Sequence, residues 1–298
     1  KILKQIYPDI PVVIGGIEAS LRRVTHYDYW QDCLKPSILV DSGADWLCYG
    51  MGERTMLEFT KAVEAGRNIS DIRKIPQLGF YMDGRCRLND AVILNSYERC
   101  CKDKVAFAEN FHVIETYANM MNPPVLVEPV GKGYVQINPT WPSATQEEMD
   151  SFWDLPYTKL PHPRYKGRHI PAYEMIKFSI NTHRGCFGGC NFCTIAAHQG
   201  KFIQSRSEES IIKEIAGLNK LPGFAGNISD VGAPTANMYG MRGKDPELCA
   251  KCRRKSCLFP SPCRNMDRSH ERLLKLYSRI AKVKGIRHAY IGSGIRYD

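Results

Sequence analysis

The chain has 298 residues, a formal net charge of +10 and 43% hydrophobic residues. This length is enough for about two domains with a sizeable core, and no apolar run reaches the ~18 residues that a membrane-spanning helix needs. We therefore expect a cytoplasmic protein without a membrane partner. The twelve cysteines do not indicate a disulfide scaffold, because such scaffolds belong to much shorter secreted chains. Reduced thiols that bind metals are favoured instead.

The first 78 residues alternate short apolar strands with helices. Strands are predicted over 11–14 and 45–49, each followed by a glycine turn, and helices over 17–23 and in the stretch that ends at Gly66. Such alternation is typical of a parallel, doubly wound sheet. Residues 1–78 are therefore predicted to form a Rossmann-like α/β domain, and both ends of the chain look cut.

Residues 79–168 show a looser pattern and are predicted to be a mixed helical and β connector. A helix is predicted over 105–121, and a pair of strands over 125–130 and 134–137 around the turn Gly-Lys-Gly. Prolines are frequent after this pair. They indicate an extended segment that leads to the next domain.

Residues 169–298 show the order strand, helix, strand, helix, strand. The strands are predicted over 175–180, 224–231 and 288–291, and a cysteine-rich insertion over 241–268 precedes the last helix. Parallel strands in this order meet at their carboxyl ends. In barrel enzymes that edge carries the chemistry.

Three cysteines follow the first of these strands, at Cys186, Cys190 and Cys193, on a glycine-rich loop. Soft thiolates select iron–sulfur clusters, zinc or copper. Since a [4Fe–4S] cluster ordinarily takes four cysteines, three would leave one iron open. The same thiols together with His183 or His198 could alternatively form a Cys3His zinc site.

A second cysteine group lies in the insertion. Its four thiols fall within fifteen residues, at Cys249, Cys252, Cys257 and Cys263. They suffice for one closed site, which either tetrahedral zinc or a fully ligated [4Fe–4S] cluster would fit. We expect such a metal to support the local fold, and replacement of Cys252 to leave the first site intact. The alternative is a set of unliganded cysteines in a mobile insertion.

The C-x3-C-x2-C spacing, with an aromatic residue before the last cysteine, resembles the signature of the radical S-adenosylmethionine (SAM) superfamily. Four motifs resemble its YgiQ-type family: HRGCFGGC from His183, QGKFIQSRS from Gln199, GAPTANMYG from Gly232 and GSGIRYD from Gly292. The resemblance implies a [4Fe–4S] cluster on the three cysteines of the loop. Its open iron would chelate SAM, and an electron from the cluster would cleave SAM to methionine and a 5′-deoxyadenosyl radical.

The resemblance also implies where SAM is held. Phe192 would lie against the adenine. The superfamily's Gly-Gly-Glu motif, which holds the SAM amino group, is absent, so Asp230 or the backbone near Gly232 becomes the candidate for that role. Ser293 and Arg296 are candidates for holding the SAM carboxylate or ribose, and their alternative role is to anchor a loop.

The fold that the resemblance implies is the later half of a cobalamin-binding-type Rossmann domain, followed by the first three strands of a partial (βα)6 TIM-like barrel. The histidine motif that ligates cobalamin in such domains would precede Lys1, so the residues of this chain do not show whether cobalamin binds. Three strands are half of the barrel. We therefore expect them to bind SAM weakly by themselves.

The cysteines and the charge are compatible with two classes of function, an enzyme and a binding protein. The leading hypothesis is a radical SAM enzyme with an unknown substrate and unassigned catalytic residues, reduced by a donor such as flavodoxin or ferredoxin. The alternative is a zinc-stabilised RNA-binding protein without catalytic activity, which the cysteines and the net charge of +10 would also fit. The same charge makes RNA a candidate substrate. An electron carrier is disfavoured, because a carrier needs no open iron.

Overall fold

The computed structural model describes residues 1–296, so Tyr297 and Asp298, which end the last sequence motif, lie outside the described residues. The chain divides into two compact units. The first unit contains Lys1–Pro142 together with two later segments, Cys190–Lys201 and Cys249–Lys255. The second unit contains the remaining described residues.

The first unit is built around one sheet. Its helices and strands within the first 142 residues are, in chain order, α1 (Ile2–Ile6), β1 (Val13–Gly15), α2 (Ile17–Leu21), β2 (His26–Asp28), β3 (Cys33–Lys35), α3 (Ile38–Ser42), β4 (Trp46–Cys48), α4 (Glu53–Glu64), α5 (Ile69–Ile72), β5 (Leu78–Asp83), β6 (Val92–Ile93), α6 (Tyr97–Lys102), α7 (Lys104–Ala118), β7 (Leu126–Val130) and β8 (Gly133–Ile137).

The sheet of the first unit is mixed. Its six strands lie in the order β1-β4-β5-β8-β7-β6. The pairs β1–β4 and β6–β7 are parallel, and the pairs β4–β5, β5–β8 and β7–β8 are antiparallel. The two strands predicted from the first 78 residues, β1 and β4, pair in parallel as expected, but β5, β8 and β7 add antiparallel pairs that the prediction did not include. The tight turn between β7 and β8 forces an antiparallel pair, because a parallel pair needs a long crossover.

The predicted boundary after residue 78 falls within this sheet. β5 begins at Leu78, and β6, β7 and β8 come from the stretch predicted to be a connector. The strand pair β7–β8 and the helix α7 were predicted from that stretch and are confirmed. The local pattern did not show that these strands belong to the same sheet as β4, which they join through β5. Pairing between distant strands is decided by the tertiary fold.

Side chains alternate between the two faces of the sheet and bury both. Leu47 and Val135 belong to the core on one face, and Trp46 and Phe80 to the core on the other. Helix α4 covers the second face through Phe59, whose ring centroid lies 5.6 Å from that of Trp46 in an edge-on arrangement. Burial on both faces is typical of an α/β sheet.

The later elements are, in chain order, α8 (Gln146–Trp153), a 3-10 turn (Pro163–Tyr165), α9 (Pro171–Ile176), β9 (Ser179–Asn181), β10 (His183–Arg184), α10 (Ile195–Gln199), β11 (Gln204–Ser205), α11 (Glu208–Leu218), β12 (Asn227–Ile228), β13 (Asp230–Gly232), β14 (Arg242–Gly243), α12 (Pro246–Ala250), β15 (Met266–Asp267), α13 (Glu271–Ile280) and β16 (His288–Ala289). Among these, α10 lies in the first unit, and α12 spans the boundary between the two units.

Parallel strand pairs organise the second unit. β13 pairs with β9, and β12 pairs with β16. Helices α11 and α13 bury Ile211, Ile215, Leu276 and Ile280 against these strands, together with Val231. The order of strands and helices agrees with the one predicted from the sequence.

The first predicted strand of this unit is corrected. Residues 171–176 form α9, so the strand predicted over 175–180 begins only at Ser179. Pro171 occupies the first turn of this helix, a position that suits proline because its missing N–H would have no helical partner there. The cysteine loop still follows the strand.

Candidate metal and cofactor site

The base of the cysteine loop is fixed by backbone pairing within the second unit. β10 and β11 pair antiparallel, with His183 opposite Ser205 and Arg184 opposite Gln204. Gly185 has φ +92°, and a Cβ at this position would collide with the backbone carbonyl of Phe202. Only glycine tolerates both this backbone conformation and this close approach.

The three cysteines of the loop are divided between the units. Cys186 lies in the second unit and is partly buried, whereas Cys190 is exposed and Cys193 partly buried in the first. Among residues 1–296, no three Cys, His, Asp or Glu side chains converge in a group that could hold a metal ion. The donor set itself, three soft thiols, fits a [4Fe–4S] cluster with one open iron.

Within the first unit, the segment that carries Cys190 and Cys193 contacts the turns after β1 and β4. His198 Nδ1 lies 3.0 Å from Ser20 Oγ. The same Oγ donates to the carbonyl of Gly16 at 2.8 Å and accepts from the N–H of Gly50 at 2.9 Å. Because the hydroxyl proton is already donated, His198 Nδ1 acts as the donor. Helix α10 is thereby held at the carboxyl ends of these two strands.

The second cysteine group is divided in the same way. Cys249 and Cys252 lie in the first unit, and Cys257 and Cys263 in the second. The N–H of Cys252 donates to the carbonyl of Cys249 at 3.1 Å, and the N–H of Cys263 to that of Cys257 at 2.7 Å. The first half of the group is therefore a tight backbone turn, and the second half is a longer loop that one backbone hydrogen bond closes.

Three of the predicted SAM residues come together in the second unit. Asp230 Oδ1 accepts from the N–H of Gly292 at 2.8 Å and from both the N–H and the hydroxyl of Ser293 at 3.3 Å. A Cβ at Gly232 would collide with Ser293 Oγ. Asp230 thus holds the loop after β16 at Gly292 and Ser293, and the SAM roles of Asp230 and Ser293 stay predictions.

The two remaining SAM candidates lie in different surroundings. Phe192 is 90% exposed. The guanidinium of Arg296 lies 5.5 Å from the ring centroid of Phe187, in range of a cation–π interaction. The carbonyl of Arg296 lies 2.9 Å from His270 Nε2.

Phe187 is a residue whose role the sequence did not indicate. Its ring is only 3% exposed and packs with Met238, Met241 and Met266, beside the partly buried Cys186. Its position between a cysteine and two glycines could have predicted its burial, because a large apolar side chain in such a loop needs a buried site. Phe187 anchors the start of the cysteine loop in the second unit.

His183 is a buried histidine at the base of the loop. Thr182 Oγ1 donates to the carbonyl of Gly232 at 3.1 Å and lies 2.9 Å from His183 Nδ1. His183 Nδ1 therefore carries the proton. Nε2 is buried, and in the described part of the chain it has no hydrogen-bond partner. Burial lowers the pKa of His183 to about 4, because a charged imidazole would lose its hydration.

We expect His183 to make the second unit less stable in acid. Its pKa is lower in the folded chain than the ordinary 6.5, so the unfolded chain binds the proton more tightly between pH 6.5 and 4. The contribution of neutral His183 to the free energy of unfolding is therefore complete above pH 6.5. It is lost as the pH drops towards 4, and the loss amounts to about 3 kcal/mol in total. Urea unfolding from pH 7.5 to 4 should show this loss, and His183→Gln should flatten it. An unchanged slope in the variant would contradict the assignment.

The fold and these loops define the class: an α/β protein with a three-cysteine loop at the carboxyl end of a parallel-paired strand. The model of the Radical SAM N-terminal family matches residues 1–179. The UPF0313 protein of Bacteroides thetaiotaomicron is 49% identical over all of this chain and half of its own length. The UPF0313 protein YgiQ of Escherichia coli K12 is 40% identical over 99% of this chain and 48% of its own length.

The chain belongs to the YgiQ-type (UPF0313) family of radical SAM proteins. It spans about half the length of the curated relatives it matches. One similar solved structure is that of the radical SAM methyltransferase TsrM of Kitasatospora setae, with cobalamin and a [4Fe–4S] cluster bound. The match covers 73% of this chain and 30% of the TsrM chain, with a TM-score of 0.37 and 18% sequence identity. None of the helices described for this chain has the length and apolar character to span a membrane.

Proposed function

We propose that this chain is the part of a radical SAM enzyme that holds its catalytic [4Fe–4S] cluster on Cys186, Cys190 and Cys193. The observation that supports this most directly is the placement of the cysteine loop. The loop follows the carboxyl end of β9, and the β10–β11 pair closes its base. It begins at Gly185, where only glycine tolerates the backbone conformation.

Neighbouring strand ends in the second unit support a cofactor site beside this loop. In the β9–β13 pair, Asn181 lies opposite Gly232, so both strands end at the same level. The loop after β16 reaches this level at Ser293, because a Cβ at Gly232 would collide with Ser293 Oγ. Carboxyl ends of parallel strands are where α/β folds bind their ligands.

The bound cluster would supply the electron that cleaves SAM into methionine and a 5′-deoxyadenosyl radical. Arg296, whose guanidinium lies 5.5 Å from the ring centroid of Phe187, carries a positive charge that suits the SAM carboxylate or ribose. Asp230 or the backbone near Gly232 is proposed to hold the SAM ammonium, and Ser293 is proposed to hold the SAM carboxylate or ribose. Phe192 is exposed and is proposed to cover the adenine once SAM is bound. The protein's part is to orient SAM and exclude water.

The wider architecture belongs to the same proposal. The first unit corresponds to a Rossmann-like, cobalamin-binding-type domain, and the second to the first strands of a partial (βα)6 barrel. The substrate is not assigned, although RNA fits the net charge of +10. We further propose a cytoplasmic location and reduction by a small donor such as flavodoxin or ferredoxin.

Anaerobic reconstitution tests the proposal. The protein should become brown, and its reduced EPR spectrum should change when SAM is added, because SAM would bind the open iron. Cys186→Ala, Cys190→Ala and Cys193→Ala should each abolish the SAM-dependent signal. Cys101→Ala is the matched control, since Cys101 is exposed on α6 outside both cysteine groups. A colourless protein that holds only zinc and ignores SAM would instead support the RNA-binding alternative.

A further inference from the structure

The first unit contains a cleft of about 530 Å³ at the amino ends of two of its strands. Pro11, which precedes β1, lines the cleft, and so do Asp45 and Trp46, where β4 begins. Small-molecule sites ordinarily have volumes of about 300–1,000 Å³. The cleft is therefore large enough for a small ligand, and it lies at the opposite end of β1 and β4 from their glycine turns.

The cleft exists because β4 is shorter than its neighbour β5. β4 pairs with β5 only at Leu78 and Gly79, whereas β8 pairs with β5 from Gly79 to Asp83. Beyond Gly79, the edge of β5 that faces β4 has no strand partner among the described residues. Phe80 and Tyr81 lie on this stretch and line the cleft. The sheet is thus open here, and its free edge carries polar backbone groups that a ligand can use.

The wall of the cleft is largely apolar. Trp46 and Phe80 are buried, and their ring centroids lie 5.7 Å apart in an edge-on arrangement that fixes both rings. Val40 and Ile69 also line the cleft, and their side chains are 38% and 54% exposed. A ligand with an apolar body would remove this exposed surface from water, which is favourable. Fixed aromatic rings favour a planar body.

The lining contains two charged residues, Asp45 and Arg73. The carboxylate of Asp45 is bound within the chain, because it lies 2.9 Å from Lys4 Nζ and accepts from the N–H of Val12 at 2.7 Å. The guanidinium carbon of Arg73 lies 5.4 Å from the ring centroid of Phe80. Arg73 Nε is buried and has no hydrogen-bond partner in the part of the chain that the structure describes. A donor left in this state costs free energy, which favours a ligand that brings an acceptor.

We propose that this cleft binds a small organic acid with a planar, apolar body and one carboxylate. The body lies against Trp46 and Phe80, and the carboxylate lies on Arg73. One guanidinium matches one carboxylate, which it can hold through two parallel N–H···O bonds. Phosphate sites instead gather rows of backbone N–H groups at glycine-rich loops or helix N-termini. Since all of these residues belong to the first 142 of the chain, the site does not depend on the function proposed for the cysteine loop.

Calorimetric titration of the 298-residue chain with 2-naphthoate tests this site. The uncharged probe is 2-naphthalenemethanol, which keeps the ring system and lacks the carboxylate. We expect 2-naphthoate to bind more tightly than the alcohol. Arg73→Met should weaken the binding of 2-naphthoate about tenfold, as expected from losing hydrogen bonds to a charged group, and should leave the binding of the alcohol nearly unchanged. Arg67→Met is the control, because Arg67 is exposed and lies outside the lining.

A blocking variant gives a measurement that does not involve Arg73. Val40→Trp should fill the cleft and abolish the binding of both probes, and it should fold normally because Val40 is partly exposed. Val63→Trp is its control, since Val63 is 54% exposed on α4 and lies outside the lining. Absence of 2-naphthoate binding to the unaltered chain would overturn the proposal. Equal affinities of the Arg73→Met and Arg67→Met variants, or full binding by the Val40→Trp variant, would overturn it as well.

Discussion

Gly185→Ala is expected to abolish cluster binding and to destabilise the second unit. Gly185 has φ +92°, where an alanine costs about 1–2 kcal/mol by itself. Its Cβ would also collide with the carbonyl oxygen and carbon of Phe202. Backbone atoms cannot swing aside as a side chain can, and the neighbouring β10–β11 pair would have to open. The iron content after anaerobic reconstitution should fall close to zero.

Gly200→Ala is the matched control for this prediction. Gly200 has φ +84°, and among the described residues no heavy atom lies within 4 Å of a Cβ placed there. This variant therefore carries the backbone strain without the collision, and it should keep most of its iron. If both variants bound equal iron, the close approach of Phe202 would not be what shapes the loop.

Arg206→Met is expected to lower the free energy of unfolding of the second unit by about 3 kcal/mol or more. Arg206 is 1% exposed and forms an ion pair with Glu214. It also donates to the carbonyl of Asn181 at 2.8 Å and to Ser210 Oγ at 2.8 Å. Methionine fills much of the same volume but leaves these acceptors without the guanidinium. Glu214 keeps its ion pair with Lys159, which limits the loss.

The control for this prediction is Arg279→Met. Arg279 pairs with Glu208 and Glu209 at 2.7 Å each, but its side chain is 37% exposed, so solvent screens these pairs and the change should lower stability far less than Arg206→Met. Urea unfolding of the two variants gives the comparison. Because Arg206 joins α11 to the end of β9, its variant should also bind less iron. Equal stability of the two variants would show that the buried pair does not hold that strand.

Local sequence pattern was sufficient for the four longest helices, α4, α7, α11 and α13, and for the hairpin. The predicted helix over 105–121 is α7, and the Gly-Lys-Gly turn joins β7 to β8. The same kind of local pattern, the C-x3-C-x2-C spacing, is the basis for predicting Cys186, Cys190 and Cys193 as cluster ligands. Residue spacing carries such information because helix periodicity, turn conformation and metal ligation are set by residues close in the chain.

Pairing between distant segments was decided only by the tertiary structure. Residues far apart in sequence form the sheet that contains both β1 and β8, including its antiparallel pairs. They also form the hydrogen bond by which Asp230 holds the loop at Ser293. The same holds for the contacts of Ser256 with Gly188 and of Lys201 with Cys252. The sequence by itself determined the spacing of the cysteines and the longest helices, because both depend on residues close in the chain. The tertiary structure decided that Cys186, Cys257 and Cys263 pack against the same apolar cluster in the second unit, because burial and hydrogen bonding between remote segments leave no periodic signal along the chain.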